Sequence, residues 1–249
     1  MNKLNAAIPL LDYSIYCGDL SQLLFGDKTL INTINQYSFC IANKDFEFKT
    51  ALQQSDILLP DGMAVVAAVQ LLNNKKIKKI AGADLHQFLL ETLNKKSGKC
   101  LYLGSSEGTL SKIKNRVANE FPNIIVKSFS PPYKSEFSDF ENKQMIEVVN
   151  LFKPDVLFIG MTAPKQEKWA YFNKEILDTK IICSIGAVFD FYAGTIDRPS
   201  PFWIRLKLEW FIRLVKEPRR MWKRYLYYGP VFIKLILKEK IKLVFKIFS

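Results

Sequence analysis

K-C-L-Y-L-G-S-S-E-G-T-L, residues 99–110, reads as a β-rich apolar run, a glycine turn and the opening of a helix. The same order repeats on either side of it. Thr29 to Ile34 and Asp56 to Leu59 upstream, and Ile124 to Phe129, Asp155 to Ile159 and Ile181 to Ile185 downstream, have the length and bounding turns of strands. Between the strands, Gly62 to Leu72, Ala83 to Asn94, Thr109 to Glu120, Phe140 to Phe152 and Lys165 to Leu177 carry apolar residues at helical spacing. Strand alternating with helix predicts an α/β fold, a Rossmann-like, doubly wound, mostly parallel sheet covered on both faces. Its ligands are then expected beyond the carboxyl ends of the strands. The first 28 residues show only a weak pattern.

Past Gly194 the strand signals stop and the sequence turns helical. Pro199, Pro201, Pro218 and Pro230 divide this part into three short helices, because proline is tolerated in a first turn but not in a helix interior. Charge changes at the same place. From Arg198 to Ser249 there are fourteen Lys or Arg against three Glu, which is +11 of the chain's +12. Two units follow: residues 1–197 as the Rossmann-like layer and 198–249 as a helical, basic, membrane-associating appendage. Lys234, Lys238, Lys242 and Lys246 recur every four residues, with Val231, Phe232, Leu235, Ile236, Val244, Phe245 and Phe248 on the other surface. That is the composition of a helix lying in the headgroup plane of an anionic membrane, the alternative being a helix packed on the protein's own core.

A chain of 249 residues, 49% hydrophobic, is long and apolar enough for one packed domain with an appendage. Cys17, Cys40, Cys100 and Cys183 are scattered within apolar runs and read as buried reduced thiols. The sequence shows no signal-peptide pattern and no window of 18 uncharged apolar residues. The expected location is therefore cytoplasmic, peripheral on the inner face of the cell membrane. Exposed apolar surface on the appendage also makes a homo-oligomer an expectation.

Three strand ends carry unusual residues. In L-L-P-D-G, Asp61 ends a strand, where a carboxylate can serve as a general base; the bland reading is a turn in which Asp61 caps the next helix. In I-G-M-T-A-P-K-Q-E-K-W, Pro164 begins a helix whose free N–H groups favour an anion, with Lys165 and Gln166 adding donors. In S-I-G-A-V-F-D-F-Y-A-G, Asp190 lies among apolar neighbours and needs a donor from protein or substrate. The turn at Gly104 is a weaker phosphate cradle, because the full G-x-G-x-x-G is absent. His86, the one histidine, reads as a satisfied structural residue, and no metal-ligand spacing is present. Charge on a phosphate would then be met by Arg and Lys, which the tail supplies.

Taken in order, T-I-N-Q-Y-S-F-C-I-A-N-K-D, S-D-I-L-L-P-D-G, I-A-G-A-D-L, G-M-T-A-P-K-Q-E, G-A-V-F-D-F-Y-A-G and E-W-F-I-R-L-V-K-E-P-R-R-M-W-K-R-Y resemble the WecG/TagA/CpsF glycosyltransferases, family 26 of that classification, from about Asn32 to Tyr225. The resemblance implies metal-independent, inverting transfer of a sugar, often of N-acetylmannosamine type, from a UDP-sugar to a saccharide on a polyprenyl diphosphate carrier. No cofactor is expected. On the matching positions it makes Asp61 the general base and places Thr33, Asn35, Lys79, Gln166 and Asp190 at the substrate, beside the Gly104 turn already read as a phosphate cradle. It also makes Arg213, Arg220 and Arg224 the tail arginines that close over the site and stabilise the leaving diphosphate. The chain departs from the family at Lys79, where arginine is common, and lysine lacks the bidentate fork.

Two rival classes remain. A nucleotide-dependent oxidoreductase would carry G-x-G-x-x-G and an acidic residue about 20 positions on, which the first strands lack. A nucleic-acid-binding protein is suggested by a pI of about 9.4 and by interleaved aromatics, but the membrane reading of the tail is preferred and no nucleic-acid partner is expected.

Overall fold

A computed structural model of the chain describes residues 6–197, 199–206 and 208–247. Six strands form one parallel sheet: β3 (Thr29–Ile34), β4 (Ile57–Pro60), β5 (Lys99–Gly104), β6 (Ile125–Phe129), β7 (Val156–Gly160) and β8 (Ile181–Ser184). Their order across the sheet is β4-β3-β8-β7-β5-β6, and every neighbouring pair is parallel. All six carboxyl ends therefore open on one edge. Two short strands at the start of the chain, β1 (Ala7–Leu10) and β2 (Tyr13–Tyr16), pair antiparallel as a separate hairpin.

Side chains alternate across the sheet and divide the core in two. Cys100 and Tyr102 of β5 and Val156 and Phe158 of β7 face the apolar stripes of α4 (Gly82–Lys96), α5 (Glu107–Glu120) and α8 (Val188–Ala193). Leu101, Leu103, Leu157 and Ile159 face α6 (Asp139–Phe152) and α7 (Lys165–Asn173). Burial on both faces is why these strands read as continuous apolar runs. A third core gathers the hairpin, Leu58 and Ile34 with α1 (Gln36–Ala42), α2 (Phe46–Gln53) and α3 (Met63–Asn73).

The remaining helices are α9 (Pro201–Arg205), α10 (Glu209–Lys216), α11 (Pro218–Trp222) and α12 (Tyr228–Ile247). Pro230 does not separate two helices as expected. A π turn over Lys223–Tyr227 joins α11 to α12, and the Tyr228 N–H reaches back to the Lys223 carbonyl. Proline thus falls in the first turn of α12, where its missing N–H is harmless.

The last helix also differs from a purely interfacial one. Tyr228, Phe232 and Ile236 are buried in the third core, where the Phe232 ring meets Phe39 edge-on at 5.1 Å. A second apolar set, Ile233, Leu237, Ile241, Val244 and Phe245, is exposed beside the lysines. Phe248 and the side chain of Lys246 lie outside the described residues. Cys40, Cys100 and Cys183 are buried free thiols, while Cys17 is half-buried.

Candidate active site

The loops leaving the sheet's carboxyl edge enclose a cleft of about 890 Å³. Each strand delivers its next residues to the wall: Asn35 after β3, Asp61 after β4, Ser105 after β5, Ser130 after β6, Met161 after β7 and Ile185 after β8. Arg213 of α10, Arg220 of α11 and Arg224 of the π turn line it as well. Thr33, Asn35, Asp61, Gly104, Gln166, Asp190 and the three arginines, picked from distant parts of the sequence, thus meet at one cleft.

Asp61 is set by the strand end behind it and the glycine ahead of it. Its N–H donates to the Ile34 carbonyl at 2.9 Å, extending the β3–β4 pairing by one residue. Gly62 follows at φ +129, a conformation L side chains rarely adopt, and is itself the N-cap of α3 with no side-chain cap. Asp61 therefore does not cap that helix. Burial pushes its carboxyl pKa up, with Lys79 and Arg213 pulling down and Glu209 and Asp84 pushing further up. The net rise makes it a stronger base than an ordinary aspartate.

Around it, donors are partly committed. Asn35 Oδ1 accepts from the N–H groups of Tyr37 and Ser38 at 3.0 Å, so its Nδ2 donors are what it offers a ligand. Gln166 is buried; its Oε1 accepts from the Met161 N–H at 3.1 Å and its Nε2 donates to Glu167 at 2.8 Å. Gly104, at φ +115, has no room for a side chain: a Cβ there would come within 2.5 Å of the Gly160 carbonyl oxygen. That close approach brings the ends of β5 and β7 together under the cleft. Asp190 sits in α8, where burial raises its pKa against the pull of Arg220 and of the Thr195 hydroxyl, 3.4 Å away.

The arginines form a like-charge group. Arg213 lies over the Phe191 ring at 5.3 Å with its Nε buried and unpartnered, and Arg224 lies over Tyr37 at 4.6 Å. Arg220 pairs with Glu217 at 2.9 Å. Burial lowers the Arg224 pKa, and Arg220 and Arg213 lower it further, the mark of cations held close in a partly dry place. Such a group suits a polyanion better than any single protein carboxylate.

Lys79 is placed differently. It is absent from the lining; its Nζ donates to Glu209 of α10 at 2.5 Å, a half-buried pair that ties the appendage to the layer. His86 lies in the core, its Nε2 2.7 Å from the Tyr102 hydroxyl, and burial lowers its pKa to about 3, so it stays neutral. Among the described residues no group of three His, Cys, Asp or Glu gathers as a metal site.

Sequence reasoning missed Tyr37, Glu167 and the Ser130–Phe137 loop, all on the cleft wall. Tyr37 and Glu167 lay inside quoted motifs, and only the stacking of Arg224 on the Tyr37 ring and the burial of Glu167 single them out.

This cleft defines a class: an α/β protein with a deep cleft at the carboxyl edge of a parallel sheet, lined by cations from a helical appendage. The chain belongs to the WecG/TagA/CpsF glycosyl transferase family, whose family model matches residues 2–245, and it is a glycosyltransferase. It is 31% identical over 216 residues, 87% of this chain and 82% of the relative, to the N-acetylglucosaminyldiphosphoundecaprenol N-acetyl-β-D-mannosaminyltransferase of Bacillus subtilis (strain 168). The protein of that name from Bacillus spizizenii is 27% identical over 193 residues, 78% of this chain and 72% of the relative. The one from Staphylococcus aureus (strain MW2) is 27% identical over 192 residues, 77% and 73% of the two chains.

Proposed function

We propose that the protein transfers an N-acetylmannosamine-type sugar from a UDP-sugar to a saccharide on a polyprenyl diphosphate, for the synthesis of a bacterial cell-surface polysaccharide. The acceptor named for its relatives, N-acetylglucosamine on undecaprenyl diphosphate, is the first candidate. The observation that carries this reading is the meeting, in one cleft, of a carboxylate of raised basicity with three arginines from the appendage.

In this reading Asp61 takes the proton of the acceptor hydroxyl as its oxygen bonds to the anomeric carbon. The bond from that carbon to the diphosphate oxygen breaks on the opposite face, so the configuration inverts. The electron pair leaves with UDP, and Arg213, Arg220 and Arg224 meet its charge through charge-assisted hydrogen bonds. With those cations in place the transfer is proposed to be independent of metal. Thr33, Asn35, Gln166 and Asp190 are assigned to holding the donor, and Gly104 to admitting it close to the backbone.

A membrane-bound acceptor requires the enzyme to come to the surface. No helix among the described residues is long and apolar enough to cross a membrane. Trp203, Trp210 and Phe211 of the appendage, and the Ile233, Leu237 and Ile241 face of α12, are exposed beside basic residues. This arrangement supports peripheral attachment to the inner face of the cell membrane.

The test is UDP release from a panel of UDP-sugars in EDTA, with a short-chain lipid diphosphate N-acetylglucosamine as acceptor. Acceptor-dependent release, indifferent to the chelator, is expected. Release that needs an added divalent metal, or a donor other than a UDP-sugar, would overturn the corresponding part of the scheme.

A further inference from the structure

Several carboxyl groups line the cleft, and Glu167 is one to which the scheme above gives no role. Glu167 lies in the first turn of α7, is 3% exposed, and lines the cleft beside Gln166. Its Oε1 accepts from Gln166 Nε2 at 2.8 Å, whereas its buried Oε2 has no hydrogen-bond partner in the protein. A polar atom left unpaired in the interior costs free energy, and at the wall of a ligand cleft its missing partner is most simply the ligand. Gln166 is held from its other end by the Met161 N–H, and its amide packs so close to Gly186 that a Cβ there would lie 3.2 Å from Oε1. Carboxyl and carboxamide are thus a single preset pair.

We infer that Glu167 is a substrate-binding residue: as a neutral carboxyl it donates a hydrogen bond from Oε2 to an acceptor oxygen of the donor substrate, while its Oε1 orients the Gln166 carboxamide for the same ligand. This rests on the UDP-sugar reading. An ionised carboxylate here would cancel part of the arginine field in which a diphosphate is to sit. The surroundings oppose ionisation: burial raises the Glu167 pKa to about 7, against the hydrogen bond from Gln166 and the charge of Arg224. The other groups packed against α7 add little charge. Asp45 and Glu47, at α2, are engaged by Lys168, and of the strands beneath, β3, β7 and β8, the one ionisable side chain is the Cys183 thiol, held neutral by burial. When a diphosphate engages Arg224, the pull of that cation on Glu167 weakens and the neutral form gains.

The experiment is calorimetric binding of UDP-N-acetylmannosamine, whose doubly esterified diphosphate does not titrate near neutrality, to the full chain and to Glu167→Gln from pH 6 to 8.5. Gln keeps the volume, an acceptor for Gln166 and a neutral donor in place of Oε2. Wild-type affinity should fall roughly tenfold or more across this range as the neutral fraction declines, and Glu167→Gln should hold its affinity with a flatter profile. Asp61 and Asp190, whose pKa values are also raised, remain in the variant, so the difference between the two profiles belongs to Glu167. Binding should also take up protons at pH 7.5, read in buffers of different ionisation enthalpy, a measurement that needs no variant. Wild-type binding that is independent of pH, proton release, or an unchanged profile in a folded Glu167→Gln would overturn the inference alone. Failure of the wild type to bind the nucleotide sugar at any pH would overturn the donor reading itself.

Discussion

The sheet layer and the appendage solve opposite problems with the same kinds of residue. In the layer, Leu101, Leu103, Leu157 and Ile159 are wholly buried, and its charge nearly cancels. In the appendage, α10 has no buried residue, and sixteen of the twenty-six large apolar side chains left exposed among the described residues lie between 199 and 247. Apolar surface kept in water beside a net positive charge is a surface built for something else. Yet the two regions are joined, by the Lys79–Glu209 pair, by the arginines in the cleft and by the burial of Phe232 and Ile236 in the third core, among other contacts. One segment is thus core on one face and cleft wall on another, and leaves apolar side chains exposed beside lysines on a third.

The layer's half of this contrast breaks most sharply at Asp61. Asp61→Asn should lower kcat by roughly 10²–10⁴ while leaving nucleotide-sugar binding in place, as expected of a lost general base. The wild-type kcat/KM should fall as pH drops through the raised Asp61 pKa, because protonation removes the base, and the fall should begin above the ordinary aspartate value of about 3.9. His86, neutral with a pKa of about 3, adds nothing to the profile between pH 5 and 8. A kcat/KM profile that stays flat down to pH 4 would remove Asp61 from the role.

Within the appendage, the two faces of α12 should separate in stability. Phe232→Ala empties a buried site and should cost about 3–5 kcal/mol in denaturant melts. Phe245→Ala, at a side chain 71% exposed, should stay within about 0.5 kcal/mol. Equal losses would mean that the helix is either all core or all surface.

Smaller still is the effect expected on the outer face. Leu237→Glu should weaken flotation with anionic vesicles by roughly tenfold, through lost apolar burial and added repulsion, without moving the melting temperature. Unchanged flotation would place the membrane contact elsewhere.

Much of this was legible in sequence because it depends on local pattern. Double-sided burial makes β5 and β7 continuous apolar runs, and the helices between strands show their stripes, so the layer could be read element by element. The hairpin could not: each four-residue strand is broken by exposed positions, Pro9 interrupts the first, and the turn at Leu11 lacks the Asn-Gly signal. Nor could the short helices between β3 and β4, too brief to display a period. Asp61, Gln166 and Asp190 announced themselves as strand-end oddities, whereas Thr33, Asn35 and Lys79 came only from the family resemblance. What sequence lacked was their company: that Lys79 would be taken by Glu209, or that Glu167 would be left with an unpaired oxygen, depends on contacts between residues far apart in the chain.

In the proposed scheme the appendage completes the active site as well as anchoring the enzyme. That role is tested most directly by the turnover of Arg220→Ala with a short-chain, water-soluble acceptor and no membrane present, where anchoring cannot contribute. Arg220→Ala should fold and turn over with a kcat roughly a hundredfold below wild type, the loss typical of one missing transition-state cation or donor. Wild-type turnover by Arg220→Ala under these conditions would contradict that role.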